Sequence, residues 1–373
     1  MPELLKDIYN EAFLLDFGQR LQAVYRPFSV NKFIADTMDA AWEALELKAR
    51  IRQISRNLGN YLPFEYEKAL KVLYAIEDSC YGFPYLILPD FVEVYGQAEK
   101  HWDLSMEALE RFTGKSSSEF AIRPFLIKDP ERGMQQMAAW AGHGSEHVRR
   151  LASEGCRPRL PWGISLPMFK TDPSPVIGIL EQLREDSSLY VRKSVANNLN
   201  DIAKDNPAVV LETAYRWKGI HPHTDWIVRR GLRTLIRRAE PKALGLFGYP
   251  EDTSELVKYA NLQANPSVLK IGDTCELKYE LAFCEGEPAH FRIEYGIDFV
   301  KANGSTSRKV FLLTDKTVPG GTSLKGARAH SWADLTTRRH YPGKHRIVLL
   351  INGQEAAATA LILEYGISVL QTE

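Results

Sequence analysis

Three cationic helix openings recur along the middle of this chain: Val148-Arg149-Arg150, Val191-Arg192-Lys193 and Val228-Arg229-Arg230. Each lies a few residues beyond Ser145, Ser188 or Thr224, whose side-chain oxygens can accept from the free N–H groups of an opening helix. The steps of 43 and 37 residues between them match the period of stacked helix pairs. A unit of that size cannot bury its apolar face alone, so its repetition predicts an α-solenoid with positive charge along one surface. Such a surface attracts a polyanion, DNA foremost.

The formal net charge of the 373 residues is zero, but it is unevenly divided. Residues 1–139 carry 16 Lys+Arg against 21 Asp+Glu, residues 140–240 carry 16 against 11, and the remainder balances at 15 against 15. The basic middle coincides with the repeats. Ordinary apolar content of 45% and charged content of 25% predict a soluble protein large enough for two domains. Cys80, Cys156, Cys275 and Cys284 form no CxxC pair and no Cys/His cluster, so no structural metal and no cofactor is expected. The opening Met1-Pro-Glu-Leu-Leu-Lys-Asp lacks a charged stretch followed by an apolar one, and no apolar run approaches the ~20 residues of a membrane span. A cytoplasmic location without membrane attachment is the expectation.

Residues 1–260 read as short helices. Pro63, Pro84, Pro89, Pro130, Pro173, Pro207 and Pro241 sit at helix openings, and Gly59, Gly114, Gly155 and Gly219 where helices stop. Residues 261–373 change character: segments 268–271, 275–283, 291–295, 308–313, 345–351 and 356–364 alternate or run β-branched, with turn dipeptides between several of them. Six or seven short strands predict an immunoglobulin-like β-sandwich. Cys275 and Cys284 are too close in sequence for the antibody-type disulfide, and no tryptophan lies between them.

Four segments could carry chemistry. Over 188–204 the spacing predicts a helix with Val191, Val195, Leu199 and Ile202 inward and a wide polar face of Ser194, Asn197, Asn198, Asp201, Lys204 and Asp205. Such a face is ordinarily solvated; the alternative is a ligand-lining surface, because short Asn and Asp are poor helix formers. Arg229, Arg233 and Arg237 stand at four-residue steps beside Trp226 and Arg230, a mutual repulsion that phosphates would relieve. In the string Glu154-Gly-Cys-Arg157-Pro-Arg159-Leu-Pro-Trp162, a glutamate occupies the last turn of a helix, where the dipole disfavours negative charge. Either it serves a site, or it pairs with Arg149, Arg150 or Arg157 while Trp162 anchors the loop. Ser116-Ser-Ser-Glu119 reads as a capped helix start, with Glu119 and Arg123 an ordinary i,i+4 pair. A further basic stretch, Arg338-Arg339-His340-Tyr341, reads as an exposed loop that could reach a nucleic acid.

Together, Ser118-Glu-Phe-Ala-Ile-Arg-Pro-Phe125, Arg149-Arg-Leu-Ala-Ser-Glu-Gly-Cys-Arg-Pro-Arg-Leu-Pro-Trp162, Val191-Arg-Lys-Ser-Val-Ala-Asn-Asn-Leu-Asn-Asp201 and Trp226-Ile-Val-Arg-Arg230 resemble the AlkC branch of the HEAT-like alkylbase DNA glycosylases. The resemblance spans most of residues 1–250 and implies a HEAT-like helical domain, part of the family also carrying an immunoglobulin-like tail. It implies a monofunctional, cofactor-free glycosylase acting on N-alkylated cationic bases such as 3-methyladenine and 3-methylcytosine in double-stranded DNA. By family position Glu119, Glu154, Trp162 and Asp201 are the catalytic candidates. Arg157, Arg159, Lys204, Arg229, Arg230, Arg233 and Arg237 become the candidate contacts to the DNA backbone. One carboxylate, Glu154 or Asp201, is expected to handle the water, with Glu119 adding negative field. A monomer is the expected state, because one lesion needs no symmetry. The competing reading is a HEAT-type scaffold that binds DNA or protein without chemistry.

Overall fold

The computed structural model describes residues 4–336 and 338–365; the opening Met1-Pro-Glu and positions 366–373 of the expected β domain lie outside them. The chain divides into two compact units, Met1–Leu232 and Arg233–Glu373.

In the first unit, short α-helices run from Glu11–Val24 to Pro222–Gly231 with 3-10 turns between several of them. The three helices with cationic openings form one layer: Glu146–Gly155 packs on Leu189–Ile202, which packs on Pro222–Gly231. Pro130–Ala141 and Ser174–Leu183 pack on each other and both against Glu146–Gly155. This stacking explains the repeated Val-Arg pair. Val148, Val191 and Val228 are buried, while Arg149 turns back to the carbonyls of His143 and Gly144. Arg192 makes the equivalent return to the carbonyls of Asp186 and Ser187. Arg149 also grips the Asp186 carboxylate at 2.6 and 3.1 Å, tying one repeat to the next. In the first two repeats the first arginine, Arg149 or Arg192, therefore clamps the loop before its own helix and is not offered to a polyanion.

The expected caps hold only in part. Ser188 accepts from the Tyr190 amide at 3.2 Å, but Ser145 makes no side-chain cap bond. Thr224 lies inside the third helix, which opens at Pro222 after His221. The expected helix start at Ser116–Glu119 is also corrected. Those residues lie in a bend and turn, and the helix is Arg123–Lys128.

The second unit begins with helices Arg233–Arg237 and Pro241–Gly245 and continues as β1 (Val257–Asn265), β2 (Val268–Lys270), β3 (Thr274–Phe283), β4 (Ala289–Val300), β5 (Thr306–Val318), β6 (Ser323–Ser331), β7 (Gly343–Ile351) and β8 (Gln354–Glu364). Its sheets have the orders β1-β3-β6 and β2-β8-β7-β4-β5. All pairings are antiparallel except β2 with β8. Leu277, Leu281, Ile293, Ile297, Ile347 and Leu361 belong to its core, around a fully buried Trp332 whose indole N–H points at Cys275 Sγ, 3.3 Å away. All four cysteines are free thiols.

The loop carrying Arg338 is turned inward more than its charge suggested. Arg338 stacks 4.5 Å from the Phe299 ring centroid and His340 is buried; Arg339 stays exposed. His330 is buried beside Tyr295, Phe311 and Trp332, with Nδ1 3.0 Å from the Tyr295 hydroxyl. Burial, reinforced by the charges of Arg338, His340 and Lys309, pushes its pKa down from 6.5 to about 4. The unfolded chain thus takes this proton first. The stability held by neutral His330 is complete above pH ~6.5 and is lost as pH falls towards 4, by at most about 3 kcal/mol. Denaturant titrations of the second unit's transition should show this acid slope, and His330→Gln should flatten it. Equal slopes in the two proteins would refute the assignment.

Candidate active site

The site is built on the end of the Glu146–Gly155 helix, the loop after it, and the buried flank of Leu189–Ile202. Val191, Val195, Leu199 and Ile202 are inward as their spacing predicts, but Ser194, Asn198, Asn200 and Asp201 are buried as well. The polar face is therefore not solvated; much of it forms the helix–helix interface. Ser194 Oγ donates to Glu154 Oε2 at 2.5 Å, and Asn198 Nδ2 donates to the Ser153 carbonyl at 2.8 Å. Buried polar groups hold only when partnered, which explains why helix-poor Asn and Ser occupy this face.

Glu154 sits in the last turn of its helix, and three arginines resolve that conflict. Arg157 Nη1 reaches Glu154 Oε1 at 2.5 Å, Arg150 Nη2 lies 3.7 Å from the same oxygen, and Arg123 Nη1 donates to the Gly155 carbonyl at 2.8 Å. Arg123 Nε also holds the Ile164 carbonyl, so one fully buried side chain fastens both ends of the loop carrying Trp162. Burial pushes its guanidinium pKa down to about 10. The expected Arg123–Glu119 pair is replaced. Glu119 Oε2 takes Arg150 Nη1 at 2.8 Å and the Ser117 hydroxyl at 2.8 Å.

Arg157 was expected on phosphates; it is instead only 7% exposed. Its Nε and Nη2 grip Asp201 Oδ2 at 2.8 and 2.6 Å while Nη1 holds Glu154. Burial works against the Arg157 charge, but Glu154 and Asp201 outweigh it and keep its pKa above the ordinary arginine value. Asp201 Oδ1 accepts from Lys204 at 2.8 Å. Glu119, Glu154 and Asp201 are thus linked through Arg150 and Arg157 into one ion network.

Trp162 is no packed anchor. Its side chain is 63% exposed, at φ +63°, a backbone region costly for a bulky residue and most common at functional sites. Lys48 Nζ donates to its carbonyl at 2.7 Å. Glu119, Glu154, Arg157 and Trp162 line one pocket of about 530 Å³ together with Phe120 and Tyr190. Tyr190 carries the Arg150 guanidinium 4.7 Å from its ring centroid. Asp201 stands behind Arg157 and is not on the pocket wall.

Among the remaining expected DNA contacts, Arg159 is exposed and pairs with Asp205 at 2.7 and 2.5 Å. Arg229 and Arg230 are exposed on Pro222–Gly231, with Arg230 5.5 Å from the Trp226 ring centroid. The arginine ladder does not continue along one helix. That helix ends at Gly231, and Arg233 and Arg237 belong to the second unit. Gly231 lies so close to Leu199 that a Cβ there would approach its Cδ2 to 2.7 Å. Among the described residues, no group of three or more His, Cys, Asp or Glu is arranged to hold a metal ion, and no helix is long and apolar enough to cross a membrane.

Sequence reasoning missed Tyr190. Arg150 was legible as a partner of Glu154 at i−4, and Ser194 as a member of the polar face, but their joint hold on Glu154 emerges only when one repeat is laid on the next.

A family model described as "Uncharacterised protein YhaZ, C-terminal Ig-like domain" matches residues 258–365. The chain is 44% identical over 350 residues to the uncharacterized protein YhaZ of Bacillus subtilis, covering 94% of this chain and 96% of that one. Its structure superposes, with a TM-score of 0.90 and 38% identity, on the Pseudomonas fluorescens alkylpurine DNA glycosylase AlkC bound to DNA containing an abasic site analog; the match covers 97% of this chain and all of that one. This chain belongs to the AlkC family. The fold class that the sequence resemblance implied, a helical domain followed by an immunoglobulin-like β domain, is the one observed.

Proposed function

We propose that this AlkC-family protein is a monofunctional DNA glycosylase that hydrolyses the N-glycosidic bond of N-alkylated, positively charged bases in double-stranded DNA. The observation that carries the reading is the joining of Glu119 and Glu154 with an exposed Trp162 in one pocket, in a chain alike along 97% of its length to a DNA-bound alkylpurine glycosylase. We place its action in the cytoplasm, where a DNA repair enzyme reaches its substrate.

An alkylated base already carries positive charge, so it leaves without being protonated. The C1′–N bond breaks, its electron pair stays with the base, and the charge passes to an oxocarbenium-like sugar. Glu119 and Glu154 supply negative field to that cation, as paired carboxylates do in glycoside hydrolysis. Water then adds to C1′ and gives its proton to Glu154, which offers the pocket a carboxylate oriented by Arg157 and Ser194. Asp201 acts through Arg157 as a positioning residue. The Trp162 ring offers its face to the cationic nucleoside. Arg159, Lys204, Arg229, Arg230, Arg233 and Arg237 are proposed as phosphate contacts, which position DNA without reading sequence. One lesion engages one active site, so a monomer suffices.

The decisive experiment is release of 3-methyladenine and 3-methylcytosine from duplex DNA. Release that fails for every lesion while DNA binding persists would favour a non-catalytic scaffold. A lyase step is not expected. The amines of Lys48, Lys115 and Lys204 are each hydrogen-bonded, to the Trp162 carbonyl, to Asp78 with Tyr81, and to Asp201. Each amine is held as a hydrogen-bond donor, which disfavours its attack on C1′. Borohydride added during turnover should therefore trap no protein–DNA adduct, and the abasic strand should remain intact until alkali is added. An adduct that survives denaturing electrophoresis would overturn this.

A further inference from the structure

A second, more enclosed cavity adjoins the active-site pocket and shares Phe83, Leu86, Ser117, Phe120 and Trp162 with it. Its volume is about 150 Å³, and an apolar cavity of roughly that volume holds one aromatic ring. Ile51, Pro89, Ala121 and Ile164 complete the apolar walls.

The polar lining is Lys48, Arg52, Asp90 and Glu93, formally two positive and two negative charges. Arg52 Nη2 is committed to Asp90 at 2.9 Å and to Glu93, and Lys48 Nζ to the Trp162 carbonyl at 2.7 Å. The Lys48 ammonium also stands 4.6 Å from the Phe120 ring centroid. A phosphate would meet two carboxylates there with both cations already engaged. A neutral, planar heterocycle would meet ring faces and a charge-balanced edge. None of these four residues takes part in the hydrolysis described above.

A base that departs from a cationic nucleoside leaves as a neutral, planar amino-heterocycle, because it keeps the electron pair of the broken bond. We propose that this cavity receives the released N-alkylated base after cleavage, with Trp162 as the wall between the reacting site and the product site. The inference rests on the glycosylase reading. Its occupant is the free base and not a nucleotide.

The test is calorimetric titration of the full chain, free of DNA, with the single-ring base 3-methylcytosine, using cytidine monophosphate as the charged control. Saturable one-to-one binding of the base is expected, with no binding of the nucleotide. Ile164→Trp, at a half-exposed rim position, should weaken binding at least tenfold by closing the mouth. Ala121→Leu, at a buried wall, should abolish it by filling the cavity; Ile164→Trp keeps the test valid if that variant folds poorly. No saturable binding, or binding unchanged in a folded Ile164→Trp, overturns the proposal. Excision from alkylated DNA is measured on the same preparation. Excision without base binding overturns this inference alone, whereas absence of both overturns the glycosylase reading with it.

Discussion

Replacing Glu154 with Gln should slow release of 3-methyladenine from duplex DNA by about 10²- to 10⁴-fold, the range for loss of a positioned general base. The carboxylate lines the pocket at 5% exposure, with one oxygen on Arg157 and the other accepting from Ser194. Glutamine preserves the shape and can still accept from Arg157. What disappears is the negative charge facing the oxocarbenium-like sugar and the ability to take a proton from water. Affinity for undamaged duplex should change little, because phosphate contacts carry most of non-specific binding. The measurement is single-turnover base release beside equilibrium DNA binding. A variant that retains wild-type release would remove Glu154 from the chemistry, and equal loss of binding and release would point to folding instead. Glu119→Gln should have a smaller effect. Glu119 lies on the same pocket but contributes field rather than proton transfer in the proposed mechanism.

Arg157→Met should destabilise the first unit by about 3–5 kcal/mol, the cost of stripping one partner from a buried ion pair. Arg157 joins Glu154 to Asp201 through three nitrogen–oxygen contacts of 2.5 to 2.8 Å, and both carboxylates are nearly inaccessible to water. Methionine keeps most of the stem's packing but leaves two neighbouring carboxylates to repel each other. Denaturant unfolding at neutral pH checks this. A neutral-pH deficit below about 1 kcal/mol would match a surface pair and contradict the burial argument. Arg157→Lys should fall between, since it keeps the charge but loses the planar fork that spans two acceptors.

The two roles of the cationic repeats could not be separated in one dimension. Arg149 and Arg192 looked like Arg229 and Arg230, yet the first pair clamps loop carbonyls while Arg229 and Arg230 are exposed on their helix. Whether an arginine meets solvent, a carbonyl or a carboxylate depends on how far the preceding loop folds back, and no local propensity encodes that. The missed strands β1 and β6 have a similar cause. Both are edges of the three-stranded sheet, and β6 reads Ser-Leu-Lys-Gly-Ala-Arg-Ala-His-Ser. An edge strand with little core to cover carries little apolar alternation.

Spacing and propensity carried the repeat period, the buried valines, the change from helical to β-rich character and a glutamate, Glu154, at odds with its own helix dipole; Glu119, Trp162 and Asp201 became catalytic candidates only through the family resemblance. Which charges neutralise which is settled by the packing of one repeat on the next. Arg157 became the link between Glu154 and Asp201, Asp201 moved behind the pocket wall, and Trp162 stayed open at a strained φ. Ion pairing inside a fold is set by distances across stacked repeats some 40 positions apart in the chain, as between Arg157 and Asp201. Burial then strengthens those pairings by excluding the water that would screen them.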